Sequence, residues 1–320
     1  MQTYSNFHVF LEKLIDYAGL FPPAMLPLGQ AVQNYAEYID SDDAWMLGPF
    51  VLPVAKLNEI PNYRALFSEK KPLKLSVVGR RSNSVKECLV QFREDLEQMV
   101  AFKNHHRDWC GIEGLELPMP AEQPTTVLLK ELAIGAERVG MKVFCEVGIS
   151  DGTLWKEQWD QTVDAIASFN SSNPIKLGIK LRTGGVKASM FPSKEKVAYG
   201  IRSCQVRKLP MKFTAGLHHP IRMYREEVGT KMHGFLNIFL AGMLANYLNL
   251  NEKQIEAVLS EEDPQLFALH HDYLAWKDMK IPAQAIKELR RDGLCSFGSC
   301  SFAEPRDEFF ELIKQQEVYK

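Results

Sequence analysis

Two lysines stand among apolar neighbours in short segments of strand character, LGIKLR and MKFTAG. Each segment runs into a turn containing Thr and Gly: Lys180-Leu181-Arg182-Thr183-Gly184-Gly185 and Lys212-Phe213-Thr214-Ala215-Gly216. Side chains alternate faces along a strand. Lys180 therefore shares a face with Arg182, and Lys212 with Thr214, Gly216 and His218, while Leu181 and Phe213 point the other way. A helix-like run separates the segments, and a strand–helix–strand unit sets its two strands parallel and often adjacent. Cations crowded on neighbouring strands cost energy unless carboxylates or an anionic ligand compensate them. Desolvation and a nearby cation both disfavour the ammonium form of a lysine. The neutral amine can attack a carbonyl and form a Schiff base. Lys180 is the candidate nucleophile on this reading, with Arg182 and Lys212 as its neighbouring cations.

Hydrophobic periodicity supplies the elements that must position these residues. Helical spacing runs over Phe7–Tyr17, followed by a short apolar segment, Ala18–Phe21, that ends at Pro22-Pro23. Helical spacing returns over Leu28–Ile39, and Trp45–Leu52 reads as a strand. A short helix over Leu57–Phe67, a strand over Leu73–Val78 and a long amphipathic helix over Val85–Lys103 follow. Strands over Ile112–Leu117, Met141–Val147, LGIKLR, MKFTAG and Gly293–Phe302 then alternate with helices. Gly140 stands where a C-cap glycine is favoured, and Ser193 behind Pro192 marks a helix start. Eight candidate strands, each followed by a helix, predict a single (β/α)8 TIM barrel over residues 1–320. An N-terminal helix could plug its bottom, and a largely helical insertion spans about 221–292, between strands seven and eight. The absence of G-x-G-x-x-G at a first helix argues against an open doubly wound sheet.

In such a barrel the active site lies at the C-terminal ends of the strands. Ser76 and Arg80 come from the third strand, Glu116 from the fourth, Glu146 from the fifth, and Lys180 with Arg182 from the sixth. Lys212, Thr214 and His218 come from the seventh, and Ser296 or Ser299 from the eighth. Glu116 and Glu146 are the candidate proton shuttles for Lys180 and Lys212. Arg182, Thr183, Gly184, Thr214, Gly216, His218, Ser296 and Ser299 are the candidate substrate contacts. The small residues among them would let backbone N–H groups approach an anionic group such as phosphate. The bland alternative is a compensated ion network that fills the barrel interior.

These segments resemble a known family. Met141-Lys142-Val143-Phe144-Cys145-Glu146-Val147-Gly148 resembles the K-V-I-x-E-T-G segment of deoxyribose-phosphate aldolases. Lys180-Leu181-Arg182-Thr183-Gly184 resembles that family's K-T-S-T-G, whose lysine forms the Schiff base. Lys212-Phe213-Thr214-Ala215-Gly216 resembles K-A-S-G-G, whose lysine tunes the first. Glu116 falls where the family carries a proton-relaying aspartate, and Ser296-Phe297-Gly298-Ser299 resembles its phosphate-holding turn. The resemblance covers residues 110 to 216 and the segment near 296. Leu181-Arg182 replaces two small residues, and the insertion has no counterpart. The resemblance implies a bacterial TIM barrel distantly related to class I aldolases, and a lyase that forms a Schiff base with a small carbonyl compound, phosphorylated or not.

Composition narrows the partners to a small molecule. A formal net charge of −2 with no basic block speaks against nucleic acid. Six cysteines without a C-x-x-C pair fit reduced thiols and a cytoplasmic location. The N-terminus lacks the basic region and apolar core of a signal peptide. Gly234–Leu248 is too short for a clean membrane span and holds Asn237 and Asn246, so it reads as a core helix, not a membrane anchor. No cofactor and no metal are assigned. Two other functions compete: a metal-dependent hydrolase using His218, His219 and His233, and a barrel that binds a metabolite without turning it over. The oligomeric state is left open.

Overall fold

A computed structural model describes residues 6–149, 152–270 and 272–318. Seven parallel strands come first: β1 (Ile15–Tyr17), β2 (Leu47–Pro53), β3 (Leu73–Val78), β4 (Cys110–Pro118), β5 (Lys142–Val147), β6 (Leu177–Arg182) and β7 (Met211–Thr214). The segment after β7 adds a hairpin, β8 (Met223–Arg225) with β9 (Thr230–Met232). It also adds an antiparallel sheet of β10 (Phe267–Leu269), β11 (Tyr273–Trp276) and β12 (Met279–Pro282). The last strand, β13 (Leu294–Ser299), pairs with β7 and β1 and closes the barrel in the order β1-β13-β7-β6-β5-β4-β3-β2. The helices are α1 (Asn6–Leu11), α2 (Leu28–Ile39), α3 (Val85–His106), α4 (Thr126–Val139), α5 (Trp155–Ser172), α6 (Lys194–Val206), α7 (Phe235–Leu248), α8 (Glu252–Ser260), α9 (Ala283–Asp292) and α10 (Ala303–Val318). The fold is the (β/α)8 barrel that the alternation of strand and helix predicts.

Local chemistry explains several element boundaries. Ser84, Thr125 and Ser193 each accept a hydrogen bond from the backbone N–H three residues on, capping α3, α4 and α6. Gly140 ends α4 in the left-handed conformation, where a side chain would be strained. Helix α7 is buried from Phe235 through Ala245. Phe235 stacks on Phe297 of β13 with ring centroids 5.1 Å apart, and Phe239 meets Phe213 of β7 edge-on at 5.2 Å. This apolar helix is therefore core, as its sequence suggests. No helix among the described residues is long and apolar enough to cross a membrane.

Two expectations need correction, both at the start of the chain. The helical spacing over Phe7–Tyr17 covers two elements: α1 stops at Leu11, Lys13 takes a positive φ of 49°, and Ile15–Tyr17 is β1. Ala18–Phe21, the short apolar segment that completes the expected count of eight strands, is the turn beyond it. A short run buried on every side has no strand period to read, so a helical phase fits it equally well. The insertion carries three helices, α7, α8 and α9, as expected, together with two small antiparallel sheets. Helix α1 lies at the bottom of the barrel. Val9, Glu12 and Lys13 line a cavity of about 1410 Å³ there.

Candidate active site

Register brings the charged residues together. In adjacent parallel strands Glu146 of β5 lies beside Lys180 of β6, and Lys180 beside Lys212 of β7. Lys180 Nζ lies 2.7 Å from Glu116 Oε2 and 2.7 Å from Glu146 Oε2. The other oxygen of Glu116 contacts Lys212 Nζ and accepts from Ser76 Oγ at 2.6 Å. Glu116 is thus a bridge, with one oxygen on each lysine. Lys212 Nζ is also 2.5 Å from Asp16 Oδ2 of β1, which accepts from Ser296 Oγ at 2.8 Å. Asp16, Glu116, Glu146, Lys180 and Lys212 are all buried.

Burial and mutual attraction oppose one another in this network, and their balance differs from group to group. Burial raises the Glu116 carboxyl, but Lys180 and Lys212 outweigh it and hold the group at about 2. Burial disfavours the Lys212 ammonium, but Asp16 and Glu116 outweigh it, and the group stays above its ordinary value. Asp16 goes the opposite way: burial dominates over Lys212 and raises its carboxyl. Among the described residues its Oδ1 is one of the few buried polar atoms with no hydrogen-bond partner.

The network joins the two ends of the barrel. At the C-terminal end, Glu116, Glu146 and Lys180 line a cavity of about 340 Å³ together with Arg81, Arg182, Thr214, Gly216 and His218. At the other end, Asp16, Ser76, Lys212 and Ser296 line the larger bottom cavity. The larger void is therefore not the one that exposes Lys180. Around the smaller mouth, Arg81 Nη2 and Arg182 Nη1 approach Glu146 Oε1 at 3.5 and 3.8 Å. His218 Nδ1 is 3.0 Å from Glu304 Oε2. Burial pushes that imidazole down, but Cys300 and Glu304 more than reverse this and bring it to about 9. Three cationic side chains thus rim the mouth.

The other expected contacts divide by location. Thr214 and Gly216 line the mouth. Thr183 does not: its N–H donates to Thr214 O at 2.9 Å and its hydroxyl to Ala215 O at 2.7 Å, pinning the loop after β6 to the loop after β7. Gly184 and Gly216 make that contact possible, because a Cβ on Gly216 would sit 2.9 Å from Gly184 Cα. Ser296 points to the bottom cavity. Ser299 is buried, and its Oγ accepts from Ser301 N at 3.4 Å, away from the mouth. Arg80 turns to Glu94 and Asp95 of α3 at 2.8 and 2.9 Å. The set His218, His219 and His233 does not assemble. His219 Nδ1 faces Glu308, whereas His233 Nε2 donates to Pro192 O at 2.8 Å.

Asp16 is the main residue that sequence reasoning misses, along with Arg81 and Cys300 at the mouth. One signal for Asp16 exists in the neighbouring strand. A Cβ on Gly48 of β2 would lie 1.9 Å from Asp16 Oδ1, so only glycine leaves room for that carboxylate. No family model matches this chain, and none of the curated proteins compared with it matches significantly.

Proposed function

We propose that this chain is a cofactor-independent lyase that forms a Schiff base between Lys180 and a small carbonyl compound bearing an anionic group. The observation that carries the reading is the placement of Lys180 at 2.7 Å from both Glu116 and Glu146, on the wall of a mouth rimmed by Arg81, Arg182 and His218. The likeness of the β5, β6 and β7 segments to class I deoxyribose-phosphate aldolases supports the same reading.

The residues divide the work. Glu116, held at about 2, stays ionised and is a poor proton acceptor. Glu146, at the same 2.7 Å, is the base that takes a proton from the Lys180 ammonium. The freed amine adds to the substrate carbonyl carbon. The carbonyl oxygen, protonated in turn, leaves as water, and the imine remains. The protonated imine then accepts the electron pair of the carbon–carbon bond one atom further on. A hydroxyl proton of the departing fragment passes to the carboxylate and from there to the enamine carbon, and water hydrolyses the imine to free the second product and Lys180. Lys212 remains an ammonium group throughout and fixes Glu116 beside the reacting nitrogen. Arg81, Arg182 and His218 supply the positive field for an anionic substituent such as phosphate.

One observation favours a second reading, a barrel that binds an anionic metabolite without turning it over. Three buried carboxylates, Asp16, Glu116 and Glu146, contact the two lysines and outnumber them, as in a compensated anion-binding site. Trapping decides between the two. The protein is incubated with a panel of small aldehydes and keto acids, reduced with borohydride, and mapped by mass spectrometry. The lyase reading expects an adduct on Lys180 that is lost in Lys180→Met and slows sharply in Lys212→Leu. Labelling of Lys180 no faster than surface lysines across the panel would overturn it.

A further inference from the structure

The loop after β7 carries a second cluster of donors, outside the reaction proposed above. His219 is buried, and its Nδ1 lies 2.8 Å from both carboxylate oxygens of Glu308. Glu304 stands four residues earlier on α10, so both glutamates project from one face of the helix. One donor atom from each of His219, Glu304 and Glu308 can be chosen so that all lie within 4.8 Å of one another.

Three features distinguish this cluster from a solvated acidic face. The loop that carries the imidazole is held in place: Phe235 N donates to the His219 carbonyl at 2.9 Å, tying it to the start of α7. Both glutamates are only partly exposed, and they turn toward buried imidazoles and not outward. The donor set itself, one imidazole nitrogen with two carboxylates, suits a borderline divalent ion, whereas calcium and magnesium favour oxygen alone. A tetrahedral ion with bonds of about 2.0–2.2 Å sets its donors roughly 3.3–3.6 Å apart. Small side-chain rotations of two partly exposed glutamates cover the difference.

We infer that His219, Glu304 and Glu308 bind a first-row divalent transition-metal ion of the zinc class, clamping the loop after β7 to the start of α10. None of the three lines the mouth cavity, while their neighbours His218 and Cys300 do. The ion would draw Glu304 away from His218, whose Nδ1 it now contacts at 3.0 Å. The clamp therefore sits behind the mouth and sets the partner of a residue that faces it. The inference does not depend on Schiff-base chemistry at Lys180.

The test uses the full chain, stripped by dialysis against a chelator and titrated with Zn2+ by calorimetry and with Co2+ by visible absorption. The expected result is uptake of one equivalent, with d–d bands from Co2+. His219→Ala and the pair Glu304→Gln/Glu308→Gln should weaken uptake by roughly 100-fold or more, beyond what losing an outer-shell partner costs. Lys180→Met and His233→Gln should bind as the parent does. Circular dichroism checks folding. If His219→Ala unfolds, the double glutamine variant, on the more exposed side, carries the test. No stoichiometric uptake by the parent, or equal uptake by the folded double variant, would overturn the inference, and borohydride trapping at Lys180 would be unaffected by either result.

Discussion

Replacing Glu116 by glutamine tests the bridge at the centre of the barrel. The amide keeps the shape and can still bond Ser76, but it removes the negative charge from both lysines at once. In the folded protein the carboxyl lies at about 2 instead of its ordinary 4.5, which corresponds to roughly 3 kcal/mol of stability at neutral pH. The sign follows from proton binding. The unfolded chain holds the Glu116 proton more tightly, so the contribution is full above about 4.5 and is lost as pH falls toward 2. Asp16 shifts the other way but is present in both proteins, so their difference isolates Glu116 to first order. Denaturant unfolding of parent and Glu116→Gln should differ by roughly 3 kcal/mol at neutral pH and by roughly 2 kcal/mol near about pH 3.5. Equal stability at neutral pH, or a gap that widens in acid, would refute a doubly ion-paired Glu116.

Other perturbations probe the rest of the network and the loops around it. Lys212→Leu leaves Asp16 and Glu116 facing each other without their shared cation and should cost roughly 3–5 kcal/mol. Adding Asp16→Asn to it should recover part of the loss, which a double-mutant cycle by chemical denaturation would measure. Burial, opposed only weakly by the Pro192 carbonyl, holds His233 at about 4 against an ordinary 6.5. The unfolded chain takes that proton first, so His233 should subtract roughly 2 kcal/mol between neutral pH and about pH 5, read as the gap between parent and His233→Gln, since His218 contributes with the opposite sign in both proteins. His233→Gln should lose less over the same range. Gly216→Ala forces a side chain onto φ 72° and against Phe191 and Gly184. It should destabilise the protein by roughly 1–3 kcal/mol in thermal unfolding, whereas Gly111→Ala, with open space around it, should be close to neutral.

The alternation of apolar runs was enough to establish the barrel, because the strands and helices of the second half are separated by turn residues and α4, α6 and α8 carry their own caps. Period two along LGIKLR, MKFTAG and IEGLEL was likewise enough to turn Lys180, Lys212 and Glu116 inward, since facing is a local property of a strand. Height within the barrel is not local. Ser296 and Lys212 share the inward face but open to the bottom cavity, while Lys180 opens to the mouth. The difference arises from the stagger of neighbouring strands, which closure of the whole sheet sets. Asp16 escaped notice because its strand is three residues long and buried throughout, too short for a period to emerge. The pairing of His218 and His219 with Glu304 and Glu308 spans more than eighty residues. Only the packing of α10 against the loop after β7 brings those groups within reach. Residue types along the chain determined which groups could ionise and which way most of them face. The folded barrel decided which charges meet, because a Coulomb interaction depends on separation in space and on burial, and neither is written in the spacing of residues along the chain.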